Sequence, residues 1–279
     1  MHAPSPLPSG KSLPKRKVVL SAGTLYTREI TDIFKIADEC GYDGVELIIN
    51  TLFENRDPHK IIKKLLEICP IESIHAPFFK LHKWGHGGMS LLRCITLARD
   101  LEIPLVNFHP PLWFPPEFTF WRWFHQIEDY QKLVSDSKVI VTIENMPYVG
   151  NRIRFNPNIL KKSSEMLSFI EKHNLFMTFD TTHIGSHNPN FLGEFQRLLV
   201  SGRVRNIHFS DYGHKREHLF PGRGILPLTR FLYLLNDRDY EGAVTLELSP
   251  TELPQERDQI IERLIEVNKY LRKELGLEP

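Results

Sequence analysis

From residue 17 onward the chain alternates two kinds of apolar pattern. Short β-rich runs recur as KVVLSAG (17 to 23), GVELII (44 to 49), IESIH (71 to 75), PLVNFH (104 to 109), VIVTIE (139 to 144), LFMTFD (175 to 180), VRNIHF (204 to 209) and AVTLEL (243 to 248). Between them, apolar residues return at helical spacing, as Ile30, Ile33, Phe34 and Ala37 do before a glycine stop at Gly41. The same spacing predicts helices from about Pro58 to Leu66, around Met89 to Leu101 and around Phe118 to Ser135, and a last helix with Ile260, Leu264, Val267 and Leu271 on one stripe. Strands that alternate with helices pair in parallel through right-handed crossovers. About eight such units in 279 residues predict one α/β domain, a closed (β/α)8 barrel over residues 17–279. An open doubly wound sheet is the rival, but it would carry a glycine-rich first turn. Here the first strand ends in SAGTLYTRE, and PGRG (221 to 224) lacks the lysine and hydroxyl of a phosphate loop.

The ends of the strands are unusually polar. The second presents Glu46, the third His75, the fourth His109, the fifth Glu144, the sixth Asp180 with His183 just beyond, the seventh His208 followed by Asp211, and the eighth Glu247. In a parallel barrel these ends converge at one mouth, where the active sites of such barrels lie. Carboxylates and imidazoles are oxygen and nitrogen donors suited to a divalent ion such as Mn, Co, Mg or Zn, and several carboxylates sharing a partly buried mouth call for a cation. Each residue also has a plainer reading. A lone histidine is usually a hydrogen-bonded core or cap residue, Asp180 could cap the next helix, Glu144 and Asn145 could form a turn, and Glu247 could pair with an arginine. Such explanations must hold on six or seven strands at once, which favours a metal centre. His59, His82, His86, His125, His173, His187 and His214 fall in helices or loops and read as surface residues.

Composition narrows the function classes. The formal net charge of +1 gives no global field to gather nucleic acid or anionic lipid. Cys40, Cys69 and Cys94 sit in helical segments without CxxC spacing, which predicts free buried thiols and a cytoplasmic setting. No apolar run is long enough to span a membrane, and the opening residues 1–16, rich in proline, serine and lysine, read as a disordered leader.

In their order along the chain, GYDGVEL, SIHAP, NFHP, TIEN, FDTTH, RNIHFSD, HLFPGRG and LEL resemble the xylose isomerase-like TIM barrels. That superfamily includes sugar and sugar-phosphate isomerases and epimerases, hydroxypyruvate isomerase-like proteins and endonuclease IV. The resemblance implies one divalent metal held by Glu144, Asp180, His208 and Glu247. It implies isomerisation or epimerisation of a sugar, sugar phosphate or related hydroxycarbonyl compound, with Glu144 and Glu247 exchanging a proton through an enediolate. Substrate contacts are expected from His183, Glu46, Arg216, His218 and Trp113. His75 and His109 match positions that hold an additional zinc in endonuclease IV, which makes zinc-dependent cleavage at abasic DNA the alternative, with a lyase or dehydratase on the same centre as a third. Two departures count against the nuclease. The aspartate expected two residues before His218 is Arg216, whose fixed charge would repel a third zinc, and HAPFFKLHKW lacks the DNA-binding asparagine loop. A small molecule therefore ranks ahead of nucleic acid as the partner, no membrane is expected, and a homo-oligomer stays open. Lys83, Arg152, Arg154, Lys215, Arg216 and Arg223 are candidate phosphate contacts. In the aromatic loop 109–124, Trp113 or Phe114 is expected to wall the substrate, while Trp121 and Trp123 are assigned to packing; Phe78, Phe79 and Trp84 are further wall candidates.

Overall fold

The computed structural model describes residues 16–135, 137–148, 157–188 and 190–277. The predicted strands form in sequence order as β1 (Lys17–Ser21), β2 (Gly44–Ile48), β3 (Ile71–His75), β4 (Leu105–Phe108), β5 (Ile140–Glu144), β6 (Phe176–Asp180) and β7 (Val204–Phe209). A short hairpin, β8 (Asp211–Gly213) and β9 (Arg216–Leu219), precedes the last barrel strand, β10 (Ala243–Leu246). Parallel pairing runs β1-β10-β7-β6-β5-β4-β3-β2, and the circle closes where Lys17 to Leu20 pair with Ala243 to Leu246. The result is a (β/α)8 barrel, as the alternating pattern predicts.

The helices are α1 (Ile30–Glu39), α2 (Pro58–Leu66), α3 (Gly87–Asp100), α4 (Phe118–Gln126), α5 (Ser163–Lys172), α6 (Thr181–Gly185), α7 (Phe191–Leu199), α8 (Leu228–Asp237) and α9 (Arg257–Glu274). Their apolar stripes bury Phe34, Phe124, Phe195 and Phe231 against outward strand residues such as Phe108, Phe179 and Phe209. At the start of α3 the approach is closest. A Cβ on Gly87 would come within 2.4 Å of Phe120, and one on Gly88 within 2.5 Å of Trp123. Trp123 is thus a packing residue, as expected.

The barrel interior differs from the branched apolar filling common in this architecture. Ser21, Glu46, Ser73, Asn107, Thr142, Thr178, Asn206 and Thr245 are all buried. Asn206 Nδ2 on β7 donates to Glu46 Oε2 on β2 at 3.4 Å, and these strands are not neighbours, so the contact crosses the interior. Thr142 and Thr178 hydroxyls meet at 2.9 Å, and Thr245 Oγ1 donates to Asn206 Oδ1 at 2.8 Å. Hydrogen bonds run through this layer, which underlies the mouth, and leave Glu46 Oε1 without one.

Three expectations are corrected. The helix expected to reach Ser135 stops at Gln126, and a separate 3-10 turn covers Tyr130–Val134. The break seats Tyr130 in the core, with its hydroxyl donating to Phe124 O at 2.7 Å. His173, read as a surface residue, is buried: its Nδ1 donates to Ile127 O at 2.6 Å and its ring stacks on Phe169. Arg16, assigned to the leader, is fastened to the barrel through Tyr240 O and Leu275 O, both at 2.6 Å. The rest of that leader lies outside the described residues. No helix among those residues is long and apolar enough to cross a membrane.

Candidate metal centre

Four of the strand-end residues meet at one point. Donor atoms of Glu144, Asp180, His208 and Glu247 all lie within 4.8 Å of one another. His208 Nδ1 is 2.7 Å from Glu247 Oε2, 3.4 Å from Glu144 Oε2 and 3.9 Å from Asp180 Oδ2. Asp180 divides its two oxygens. Oδ1 caps α6, accepting from His183 N at 2.7 Å and Thr182 Oγ1 at 2.9 Å, while buried Oδ2 has no hydrogen-bond partner in the protein. His208 Nδ1 is likewise buried, and its 2.7 Å contact with Glu247 Oε2 is not aligned as a hydrogen bond. Two buried ligand atoms without an aligned hydrogen bond, converging with two further carboxylates, fit a divalent cation with oxygen and nitrogen ligands.

The electrostatics agree with that fit. Burial disfavours a charged His208, but Glu46, Glu144 and Glu247 outweigh it and raise its pKa well above the ordinary imidazole value. Burial would raise Glu247, yet His208 pulls it down to about 2, and His208 with His109 holds Glu144 well below the usual carboxylate range. His208 and the carboxylates around it thus favour one another's charged forms, and a cation bound there would compete with the His208 proton.

Two more clusters adjoin the first. His75, His109 and Glu144 form one trio and Asp180, His183 and His218 another, each with donor atoms within 4.8 Å. His75 Nδ1 donates to Ala76 O at 2.7 Å, which turns Nε2 toward Glu144 Oε2 at 3.4 Å, and His109 Nε2 reaches the same oxygen at 3.4 Å. Glu144 Oε2 also accepts from Asn107 Nδ2 at 2.7 Å. His183 Nδ1 donates to Asn145 O at 2.8 Å; burial works against its charged form, but Asp180 and Glu144 raise its pKa to about 10. The β8–β9 hairpin brings His218 in, with its ring 5.4 Å from that of His183.

The chain matches the family described as xylose isomerase-like TIM barrel over residues 34–273. It belongs to that family. An uncharacterized protein of Mycobacterium leprae is 27% identical over 270 residues, covering 86% of this chain and 91% of that protein. Among solved structures, a D-tagatose 3-epimerase-like protein shares 21% identity with a TM-score of 0.68, covering 93% of this chain and 98% of the other. The IolI protein with a bound zinc atom shares 13% identity with a TM-score of 0.69, covering 93% and 98%. These structural likenesses establish the fold.

Within this xylose isomerase-like barrel several expected site residues stand elsewhere. Glu46, expected to contact substrate, is fully buried against His208, and its Oε2 accepts from Ser73, Asn206 and the His208 ring. Asp211, a candidate ligand at the seventh strand, serves the PGRG turn instead: Oδ2 accepts from Gly222 N at 3.0 Å and Gly224 N at 2.9 Å, and Oδ1 from Tyr212 N at 2.8 Å and Leu226 N at 3.1 Å. An internal carboxylate thus fills the amide cradle. Arg216 Nη2 and Arg223 Nη1 share Glu252, at 2.9 and 2.8 Å. Trp84 is core, donating to Phe53 O at 3.2 Å. Trp113 is exposed, and its ring contacts are Phe118 and Trp121. Phe78, 58% exposed, stacks on His109 with centroids 5.9 Å apart and meets His75 edge-on at 6.1 Å. Arg152 and Arg154 lie outside the described residues. Asn145 and Asn107 were not anticipated as site residues, although the asparagine directly after Glu144 in TIEN was the available signal.

Proposed function

We propose that this protein is a metal-dependent isomerase or epimerase of a small hydroxycarbonyl compound, a sugar or close derivative. The observation that carries the reading is the convergence of two carboxylates, Glu144 and Glu247, with Asp180 and His208 on one point of the mouth. Solved neighbours named as sugar 3-epimerases support it. Glu144, Asp180, His208 and Glu247 would hold the ion, which supplies Lewis acidity toward a carbonyl and its neighbouring hydroxyl. Glu247, at the open side of the cluster, and Glu144, entering from β5, divide the proton transfers. One removes the proton from the carbon beside the carbonyl, leaving an enediolate, and the other returns a proton to carbon. His183, anchored through Nδ1 to Asn145 O, keeps Nε2 for a substrate oxygen. Phe78 forms an apolar wall over the His75–His109 side. With Arg216 and Arg223 both held by Glu252 and the PGRG amides held by Asp211, free sugars are favoured over sugar phosphates.

Deuterium uptake tests this directly. Metal-loaded protein incubated in D2O with a panel of ketopentoses and ketohexoses should place deuterium at the exchanged carbon, with the rate falling by about 10²-fold or more in Glu144→Gln and Glu247→Gln. A second reading, metal-dependent phosphodiester hydrolysis at abasic DNA, is favoured by the His75, His109 and Glu144 trio. Absence of deuterium uptake together with nicking of abasic DNA that Glu144→Gln abolishes would replace the first reading with the second.

A further inference from the structure

One buried acid has no place in the proposed proton transfer. Glu46 lies on β2, across the interior from β7, and is fully buried, yet its carboxylate sits against the ring of His208. His208 Nε2 is 3.0 Å from Glu46 Oε1 and 3.2 Å from Oε2, the second contact having the better hydrogen-bond alignment. The opposite nitrogen, Nδ1, is the one that faces Glu247, Glu144 and Asp180. One imidazole is therefore clamped between a carboxylate below it and the donor cluster above.

Glu46 is itself held in place. Ser73 Oγ donates to Oε2 at 2.9 Å, and Asn206 Nδ2 approaches the same oxygen at 3.4 Å while its own Oδ1 accepts from Thr245 at 2.8 Å. The pairing of β2 with β3 also slips register between Val45 and Glu46, the kind of irregularity that re-aims a side chain. A neutral imidazole offers a metal only its unprotonated nitrogen, so an acceptor on the far nitrogen fixes which one that is.

We infer that Glu46 is a positioning residue: it accepts the Nε2–H of His208 and so presents Nδ1, in a fixed ring orientation, to the cluster formed with Glu144, Asp180 and Glu247. The inference rests on the metal centre proposed above.

The test uses the full chain, stripped of metal and titrated with Zn²⁺ against a chromophoric chelator, alongside two-bond nitrogen-proton correlation spectra of the ¹⁵N-histidine-labelled, zinc-loaded protein. In the wild type His208 should carry its proton on Nε2. Glu46→Gln keeps an acceptor and should lose only a few-fold in zinc affinity, whereas Glu46→Ala should lose roughly 10- to 100-fold, with its circular dichroism spectrum unchanged. A role confined to core stability would lower Tm in both variants without grading zinc affinity in this order. A wild-type His208 protonated on Nδ1, or Glu46 variants that bind zinc as tightly as wild type, overturns the inference. The tautomer is read on unmutated protein, so it decides the matter even where Glu46→Ala does not fold. Should wild type and Glu247→Gln bind zinc equally weakly, the metal centre itself fails, an outcome distinct from unchanged affinity in the Glu46 variants alone.

Discussion

Asn145 and Asp180 grip each other across the ends of β5 and β6: Asn145 Nδ2 donates to Asp180 O at 3.0 Å, and Asp180 N donates to Asn145 Oδ1 at 2.9 Å. The same asparagine offers its carbonyl to His183 Nδ1. One residue thus fixes two others at the mouth, Asp180 through its side-chain amide and His183 through its backbone carbonyl. Asn145→Ala leaves a buried N–H and C=O unpaired and should destabilise the fold by about 2 to 4 kcal/mol in urea titrations, while lowering metal affinity. Wild-type stability in that variant would show that water replaces the amide without loss.

Metal content follows from the clusters. Elemental analysis of untagged protein equilibrated with limiting Mn²⁺, Co²⁺ or Zn²⁺ should find a tightly held ion that Glu247→Gln loses. His109→Ala should keep that ion and lose only a second, weaker one. Chelation should lower Tm, because a ligand bound to the native state alone stabilises it by mass action. Equal ion content in wild type and Glu247→Gln would put the metal elsewhere.

The two aromatic candidates should separate kinetically. Phe78 lies over the imidazoles, so Phe78→Ala should raise KM by about 5- to 30-fold, in line with the ~1 to 2 kcal/mol of a lost apolar contact. Trp113 packs on Phe118 and Trp121, and Trp113→Ala should leave KM within about twofold, the scale of a near-neutral surface change. The reverse ranking would make Trp113 the substrate wall.

Cys40, Cys69 and Cys94 are free and buried, and burial raises all three thiols, Cys40 and Cys69 to about 12. The thiolate is the reactive form, so native protein at pH 8 should resist a thiol-specific chromogenic reagent, with all three groups reacting once guanidinium unfolds the chain. Rapid labelling of native protein would contradict the burial.

The alternation of strand and helix made the barrel legible, because period-2 and period-3.6 patterns survive in each unit. That donors gather at the strand ends was legible too, since parallel strands converge at one mouth, and the family resemblance picked Glu144, Asp180, His208 and Glu247 from among them. What position could not reveal was depth and direction. Glu46 belongs to the same strand-end series, yet the register slip beside it and its partners Ser73 and Asn206 hold it beneath the ligands. Asp211 lies only three residues past His208, but the following turn wraps its amides around that carboxylate. The helix break after Gln126 was not legible because a tertiary bond, His173 to Ile127 O, accompanies it, and that partner lies 46 residues away in sequence.

The distribution of donors along the chain has a consequence for assembly of the centre. Everything up to β4 contributes Glu46, His75 and His109, whereas Glu144, Asp180, His208 and Glu247 all follow residue 139. The later half of the barrel thus owns a complete quartet, and the earlier half owns its support and its neighbour. An ion in the quartet would be gripped by the later half alone and aligned by the earlier one through Glu46, so parting the halves would loosen that grip rather than divide it.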